Sequence, residues 1–324
     1  MVKHLFQKRP WLPCSAPGCK PAEQILLTPN VPVDHVAAAC FCRKTGFSDR
    51  RIAVQDIRLT VTGHRTFGSY GHLTLTAAEP LTFAPGQFAM LKPAGALDPM
   101  WRRAMAIYRL RRSGAGSQVE FIYQVFGRGT QALRRVHAGD AVQALLPLGR
   151  PFDIAPVAVG GREALLVAGG VGSAALLALA EQLKREQVAT RLFLGGRSTV
   201  DLIGLEDFTA LGIPVHVATN DGSRGVRGFV TTPFERFLHD HADEVRSGKF
   251  VVYACGPGPM LERVAALTAA ACILTYVSVE ERMACGFGVC VGCVVAVRGQ
   301  DGATDYRRAC VEGPVFRADE LEWT

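Results

Sequence analysis

Three thiols within nine residues, Cys285, Cys290 and Cys293, followed at a distance by Cys310, constrain this chain more than any other feature. The spacing C-x4-C-x2-C with a distant fourth Cys is that of a plant-type [2Fe–2S] ligand set. Two irons need four soft thiolates converging on one small volume. Gly286, Gly288 and Gly292 free the backbone to wrap the inorganic sulfides. Val294–Val297, the Gly299-Gln-Asp-Gly302 turn and Asp305–Arg308 predict a hairpin that brings Cys310 back to the other three. On the residues alone two other readings stay open, a structural zinc site and four unrelated buried thiols. The spacing is not the usual one of a zinc ribbon.

A chain of 324 residues predicts two or three domains with well-formed cores. Its ten Cys are unevenly placed, and the chain is too long for a disulfide scaffold, so clustered thiols point to metal in a reducing cytoplasm. Residues 1–52 are expected to form a disordered or loosely ordered extension. They show no steady periodicity, carry six prolines, and hold Cys14, Cys19, Cys40 and Cys42 at a spacing that fits no common metal template. Met1–Ser15 contains Lys3, Lys8 and Arg9 and no apolar core of a secretory signal. Eight Lys and Arg against three acids place +5 of the net +7 in the first 51 residues. The nearly neutral remainder gives no support to nucleic-acid binding. The uncharged run Ala164–Ala180 is interrupted by Gly169, Gly170 and Gly172 and falls short of the ~20 residues of a membrane span. A buried strand, a turn and a buried helix fit it better.

From Val54 the pattern becomes short alternating runs. Val54–Val61, His72–Ala77, Gln87–Lys92, Met105–Leu110, Val119–Phe126 and Ala141–Leu145 predict six strands of an antiparallel barrel, with one helix over Thr130–Val136. Beyond Pro156, strands at Ala164–Ala168, Arg191–Leu194, Val215–Ala218 and Phe250–Ala254 alternate with helices at Ala174–Glu186, Asp207–Leu211, Phe229–His239 and Pro259–Ala271. That alternation marks a parallel, doubly wound nucleotide-binding domain.

Four motifs carry candidate chemistry. The Gly169-Gly170-Val-Gly172 turn joins a strand to a helix, where backbone N–H groups attract a pyrophosphate. A second such junction, Tyr253-Ala-Cys255-Gly256-Pro257-Gly258, clears space at a strand's carboxyl end and puts Cys255 where a nicotinamide ring could lie; a plain buried thiol is the alternative. Arg102-Arg103 could clasp a flavin phosphate in bidentate fashion, or be a solvated pair. Phe126-Gly-Arg-Gly129-Thr130 offers N–H groups to a phosphate, or is an ordinary helix cap.

The order of these motifs resembles the electron-transfer subunits of the two-protein, NAD-linked dihydroorotate dehydrogenases, a branch of the ferredoxin reductase superfamily. The resemblance covers residues 53–324 and extends to Leu146-Pro-Leu-Gly149, Gly195-Gly-Arg-Ser198, Asn220-Asp-Gly-Ser223 and Gly228-Phe-Val-Thr231. It implies a multidomain β plus α/β architecture: an antiparallel FAD-binding barrel over 53–156, a doubly wound parallel NAD-binding domain over 157–272, and a small C-terminal [2Fe–2S] domain over 273–324. It also implies residue roles. Cys285, Cys290, Cys293 and Cys310 would ligate iron. Arg103 would hold the FAD phosphates, Met105 and Ala106 would lie beside the ring, Ile122, Tyr123 and Gln124 would line the flavin, and Gly129 and Thr130 would cap a phosphate. Gly169, Gly170, Gly172, Cys255, Gly256 and Pro257 would bind the nicotinamide cofactor. Where the family has Arg-Pro-x-Ser, this chain has Arg103-Ala-Met-Ala106 and lacks a hydroxyl near the flavin N5.

The expected function is a relay in which a catalytic FMN-containing partner oxidises dihydroorotate and this chain carries the electrons to NAD⁺ in pyrimidine biosynthesis. The expected assembly is a cytoplasmic heterotetramer of two copies each, with no membrane or nucleic-acid partner and no acid–base residue acting on dihydroorotate in this chain. The same parts would also serve an NAD(P)H-linked ferredoxin or sulfide oxidoreductase subunit, an oxygenase reductase, or a degenerate subunit used in assembly. The pair Arg197-Ser198 leaves NAD against NADP open.

Overall fold

The computed structural model describes residues 54–299 and 302–323. The expectations for residues 1–52, including Cys14, Cys19, Cys40 and Cys42, lie outside the described residues.

The first layer is a seven-stranded antiparallel sheet: β1 (Gln55–Phe67), β2 (Tyr70–Ala77), β3 (Phe88–Pro93), β4 (Arg103–Ala106), β5 (Arg109–Ser113), β6 (Gly116–Gln124) and β7 (Ala141–Leu148). Their order is β4-β3-β7-β1-β2-β6-β5. Alternation places Leu59, Leu73, Leu75, Val119, Phe121, Val142 and Ala144 in one buried interior, each of the larger side chains contributing roughly 1.5–3 kcal/mol. Helix α1 (Arg128–Arg134) caps that interior with Leu133.

Two strand expectations change here. β1 runs past Val61 because a register shift between Val61 and Gly63 lets it bend along β2. Met105–Leu110, expected as one strand, is two. β4 pairs with β3 and β5 with β6, which are far apart in the sheet order. Ile107 donates its N–H to Gln87 and Tyr108 donates to Glu120, so this buried corner changes partners and closes the sheet on itself. Unbroken apolarity through the corner hid the break.

The second layer is a sheet of order β11-β10-β9-β8-β12-β13-β16. It comprises β8 (Glu163–Gly169), β9 (Thr190–Gly196), β10 (Val215–Thr219), β11 (Val226–Arg227), β12 (Phe250–Cys255) and β13 (Leu274–Ser278), all parallel, with antiparallel β16 (Val315–Arg317) at one edge. Its helices are α2 (Ala155–Ala158), α3 (Ala174–Arg185), α4 (Leu205–Ala210), α5 (Thr231–Asp240), α6 (Ala242–Arg246) and α7 (Gly258–Ala270). Ala164–Ala168 is wholly buried because both faces are covered. Leu165 and Val167 meet Phe234 of α5 and Leu261 of α7, whereas Leu166 and Ala168 meet α3. The uncharged run is thus β8, a turn and α3, and among the described residues no helix is long and apolar enough to cross a membrane.

Helix α3 also packs on the barrel, where Arg109 Nε donates to Glu181 at 2.6 Å. Beside it the Tyr108 hydroxyl donates to Asp207, and the Tyr70 hydroxyl donates to Asp201 at 2.6 Å. Strands β13 and β16 belong to the second sheet although they flank the thiol-rich segment. Between them that segment forms a loop and the hairpin β14 (Val294–Arg298) and β15 (Thr304–Arg308), as expected.

Candidate functional site

The strand order of the second sheet reverses between β8 and β12, the place where ligands bind in doubly wound folds. The two glycine turns stand at the carboxyl ends of these two neighbouring strands and touch. A methyl on Gly172 would lie 2.6 Å from the Cys255 carbonyl oxygen, and one on Gly256 would lie 3.0 Å from the Gly169 nitrogen. Gly170 turns the chain with φ +53°, and the Ser173 hydroxyl closes the turn by donating to the Gly170 and Ile203 carbonyls. Gly169, Gly170, Gly172, Cys255, Gly256 and Pro257 therefore line a single cradle. Cys255 is buried, and burial foremost, then the Glu280 carboxylate, pushes its thiol far above the ordinary range while Ser278 bonds to it. The Glu280 carboxyl is likewise raised by desolvation, although the residue as a whole is exposed to solvent.

At the end of β9, Arg197 donates to Asp201 through Nε and Nη2 at 3.2 and 3.1 Å. This carboxylate, itself held by Tyr70, engages two of the donors of that exposed guanidinium.

In the barrel, Arg102 is paired with Asp56 at 2.7 and 2.9 Å, whereas Arg103 donates to the backbone carbonyls of Trp101 and Arg102. The Arg103 guanidinium lies over the start of α1. A methyl on Gly129 would sit 2.0 Å from its Nε, so a larger residue there would have to push the guanidinium aside. A fork of cationic donors beside the first-turn N–H groups of a helix fits a phosphate. The Thr130 hydroxyl is committed within the turn, accepting from Phe126 and Gly127 N–H. Ala106 and Ile122 pack toward the second layer. Met105 and Tyr123 instead turn into the barrel interior, where the Tyr123 hydroxyl stands 3.0 Å from His64 Nε2, and burial raises its pKa to about 12. Strand alternation splits the residues this way, so Met105 and Tyr123 face a ligand on the outer wall with their backbone only.

The thiol loop docks on that outer wall. Phe88, Met90 and Leu148 pack with Cys293, Ala309 and Cys310, and Ala104 of β4 lies against them. Gly286 (φ +80°) lies so close to Met90 that a methyl would come within 2.4 Å of it. The Ala309 N–H donates to Cys293 at 2.8 Å, tying the fourth thiol to the loop.

All four thiols are free, with Cys285 within hydrogen-bonding reach of Cys290 and Cys293 within reach of Cys310. Burial opposes ionisation of Cys285, but the N–H groups of Cys290, Phe287 and Val289 prevail and lower its pKa to about 6. Cys310 is pushed up to about 12, first by burial and then by Cys293 and Cys285. Thiolates that crowd one another in this way are relieved by a cationic centre. Among the described residues no three such side chains converge tightly enough for a single metal ion. The thiols stand as two pairs, which suits four ligands shared between two irons.

The family model for the iron-sulfur cluster binding domain of dihydroorotate dehydrogenase B matches residues 280–322. A dihydroorotate dehydrogenase B (NAD⁺) electron transfer subunit homolog of Aquifex aeolicus is 38% identical over 78% of this chain and 93% of its own length. The electron transfer subunit of Bacillus caldolyticus is 40% identical over 86% of this chain and 97% of its own. The chain belongs to this family of electron transfer subunits. Among solved structures, the NADH-dependent reduced ferredoxin-NADP oxidoreductase superposes with a TM-score of 0.69 at 26% identity, covering 82% of this chain and 90% of the other. The ferredoxin reductase of carbazole 1,9a-dioxygenase shares the fold, at TM-score 0.55 and 22% identity over 68% and 66%. In an electron transfer subunit with this fold, Ser278 and Glu280 join the Cys255 side of the cradle. Sequence reasoning had missed both, and the one available signal was an apolar run at 273–279, readable as a further parallel strand beside β12.

Proposed function

We propose that this electron transfer subunit accepts electrons singly from a dihydroorotate-oxidising, FMN-containing partner and delivers them in pairs to NAD⁺. When bound, a [2Fe–2S] cluster, FAD and NAD⁺ supply one-electron transfer, conversion between one- and two-electron traffic, and hydride acceptance. Cys285, Cys290, Cys293 and Cys310 would hold the cluster. Arg103 and the Gly129–Thr130 turn would hold the FAD phosphates, with Ala106, Ile122 and Gln124 toward its ring. The Gly169–Gly172 turn would take the NAD pyrophosphate, and Cys255 would face the nicotinamide. One observation carries the proposal: Cys293 and Cys310 share a packed cluster with Ala104, on the face of β4 that also bears Ala106. The thiol loop and the flavin strand are thereby in direct contact.

Around the thiols, Phe287, Val289, Val291 and Tyr306 are all more than half exposed, an apolar rim suited to a partner protein. We infer that the catalytic subunit docks there, two copies of each chain assembling in the cytoplasm. The likeness to the NADH-dependent ferredoxin-NADP oxidoreductase supports a second reading, in which a ferredoxin is the one-electron partner. The purified chain should show flavin bands, a [2Fe–2S] envelope and one FAD per two irons. Together with a candidate FMN subunit it should form orotate at the expense of NAD⁺. Orotate formation absent while ferredoxin reduction proceeds would select the second reading, and absence of both iron and flavin would overturn the two together.

A further inference from the structure

Arg308 closes β15, directly across from Val294 and two residues before Cys310. Its guanidinium reaches back to the other half of the thiol site, where Nη1 donates to the Gly288 carbonyl at 3.1 Å, between Cys285 and Cys290. The approach is close, since Gly288 (φ +91°) would place a methyl 3.3 Å from the same nitrogen. The rest of the fork is held by Glu312. Nε donates to Oε2 at 3.1 Å, Nη2 to Oε1, and the Arg308 backbone N–H to Oε2 at 2.8 Å. The Arg308 carbonyl in turn accepts the N–H groups of Val311 and Glu312. One side chain thus joins the segment bearing three thiols to the segment bearing the fourth. It sets a fixed positive charge beside them, with a carboxylate behind it.

We propose that Arg308 and Glu312 form a charge couple that sets the reduction potential of the four-cysteine cluster. The proposal rests on the reading of those cysteines as iron ligands. Reduction adds one negative charge to the cluster, so a neighbouring cation favours the reduced form and a neighbouring anion opposes it. The partly exposed guanidinium is screened by solvent, and Glu312 cancels part of its field. Arg308 is a positioning residue: it touches the loop backbone and acts on the cluster through it and through space.

The test is a spectroscopic redox titration of the cluster in the intact, flavin-loaded chain, with iron and sulfide quantified in each sample. Arg308→Gln should lower the midpoint potential by about tenfold in the reduction equilibrium, about 59 mV for one electron. Glu312→Gln should raise it, and Arg308→Lys, which keeps the charge without the fork, should fall between Arg308→Gln and the unmodified chain. Opposite shifts for Arg308→Gln and Glu312→Gln at full iron content support the couple, because a structural disturbance alone would not reverse sign. Shifts in one direction for both, or none, overturn it. If Arg308→Gln loses iron, Arg308→Lys and Glu312→Gln decide by the same criterion. Absence of two irons from the unmodified chain would instead sink the reading on which the proposal stands.

Discussion

Replacing Gly172 by Ala separates the contact between the two glycine turns from every other property of the site. The added methyl would stand 2.6 Å from the Cys255 carbonyl oxygen and 2.7 Å from both the Cys255 carbonyl carbon and the Gly256 Cα. All three are backbone atoms at strand ends and have no rotamer by which to yield. Restoring an ordinary contact of 3.4 Å moves one turn from the other by roughly 0.8 Å. Overpacking of this kind costs about 1–3 kcal/mol. A displacement near 1 Å in a positioning element costs about 100-fold in rate. We therefore expect kcat/KM for NADH to fall roughly 100-fold, read as stopped-flow flavin reduction, with iron and FAD content unchanged. Gly169→Ala supplies the contrast, because its methyl would chiefly meet the flexible Met260 side chain, Sδ at 2.6 Å. Adding Met260→Ala should restore most of the loss in Gly169→Ala and none of it in Gly172→Ala. Unchanged NADH kinetics in Gly172→Ala, or rescue of both variants by Met260→Ala, would refute the shared cradle.

Arg103→Gln should weaken FAD binding by about 1.5–3 kcal/mol, roughly 10- to 150-fold in Kd by flavin fluorescence, while leaving iron content intact. Tyr70→Phe removes a donor from buried Asp201 and should cost about 1–3 kcal/mol in chemical denaturation. Burial works against ionisation of Asp201, yet its bonds from Arg197 and Tyr70 hold its pKa below the ordinary aspartate range. A depressed carboxyl contributes stability above the unfolded value and loses it as pH falls through the folded one. Denaturation curves below about pH 4 should accordingly be flatter in Asp201→Asn than in the unmodified chain. Phe287→Ser should weaken association with the catalytic subunit, measured by analytical ultracentrifugation, and leave NADH-dependent flavin reduction as it was.

Legibility of the fold in the sequence followed the range of the interactions. The parallel strands β8, β9, β10 and β12, the helix α3 and the β14–β15 hairpin are visible because period, turn residues and apolar runs are local signals, whereas β11 and β13 are not read from the sequence. The corner at Ile107–Tyr108 is not visible either, since its cause is a change of hydrogen-bonding partner between strands remote in the chain. The bonds from Tyr70 to Asp201 and from Tyr108 to Asp207 span a hundred residues or so and leave no pattern in either neighbourhood. For the candidate site, the four thiols and both glycine turns could be read directly, because each motif is compact. The split of Met105 and Tyr123 from Ala106 and Ile122 needed the strand register to be known. Glu280 needed β13 to be placed beside β12.

The thiol-bearing segment leaves the second sheet after Ser278 and re-enters it at Val315, and these two residues are paired neighbours. Val279 N–H is bonded to the Pro314 carbonyl just beyond them. An excursion whose ends are fastened side by side is a staple and not a leash. A carrier on a leash works by swinging between donor and acceptor, and its speed depends on tether length and viscosity. Here the port is bolted to the sheet that ends in the nucleotide cradle and pressed on the wall bearing Arg103. Traffic through it should be indifferent to viscosity once the partner has docked, with the waiting time set by arrival of the partner.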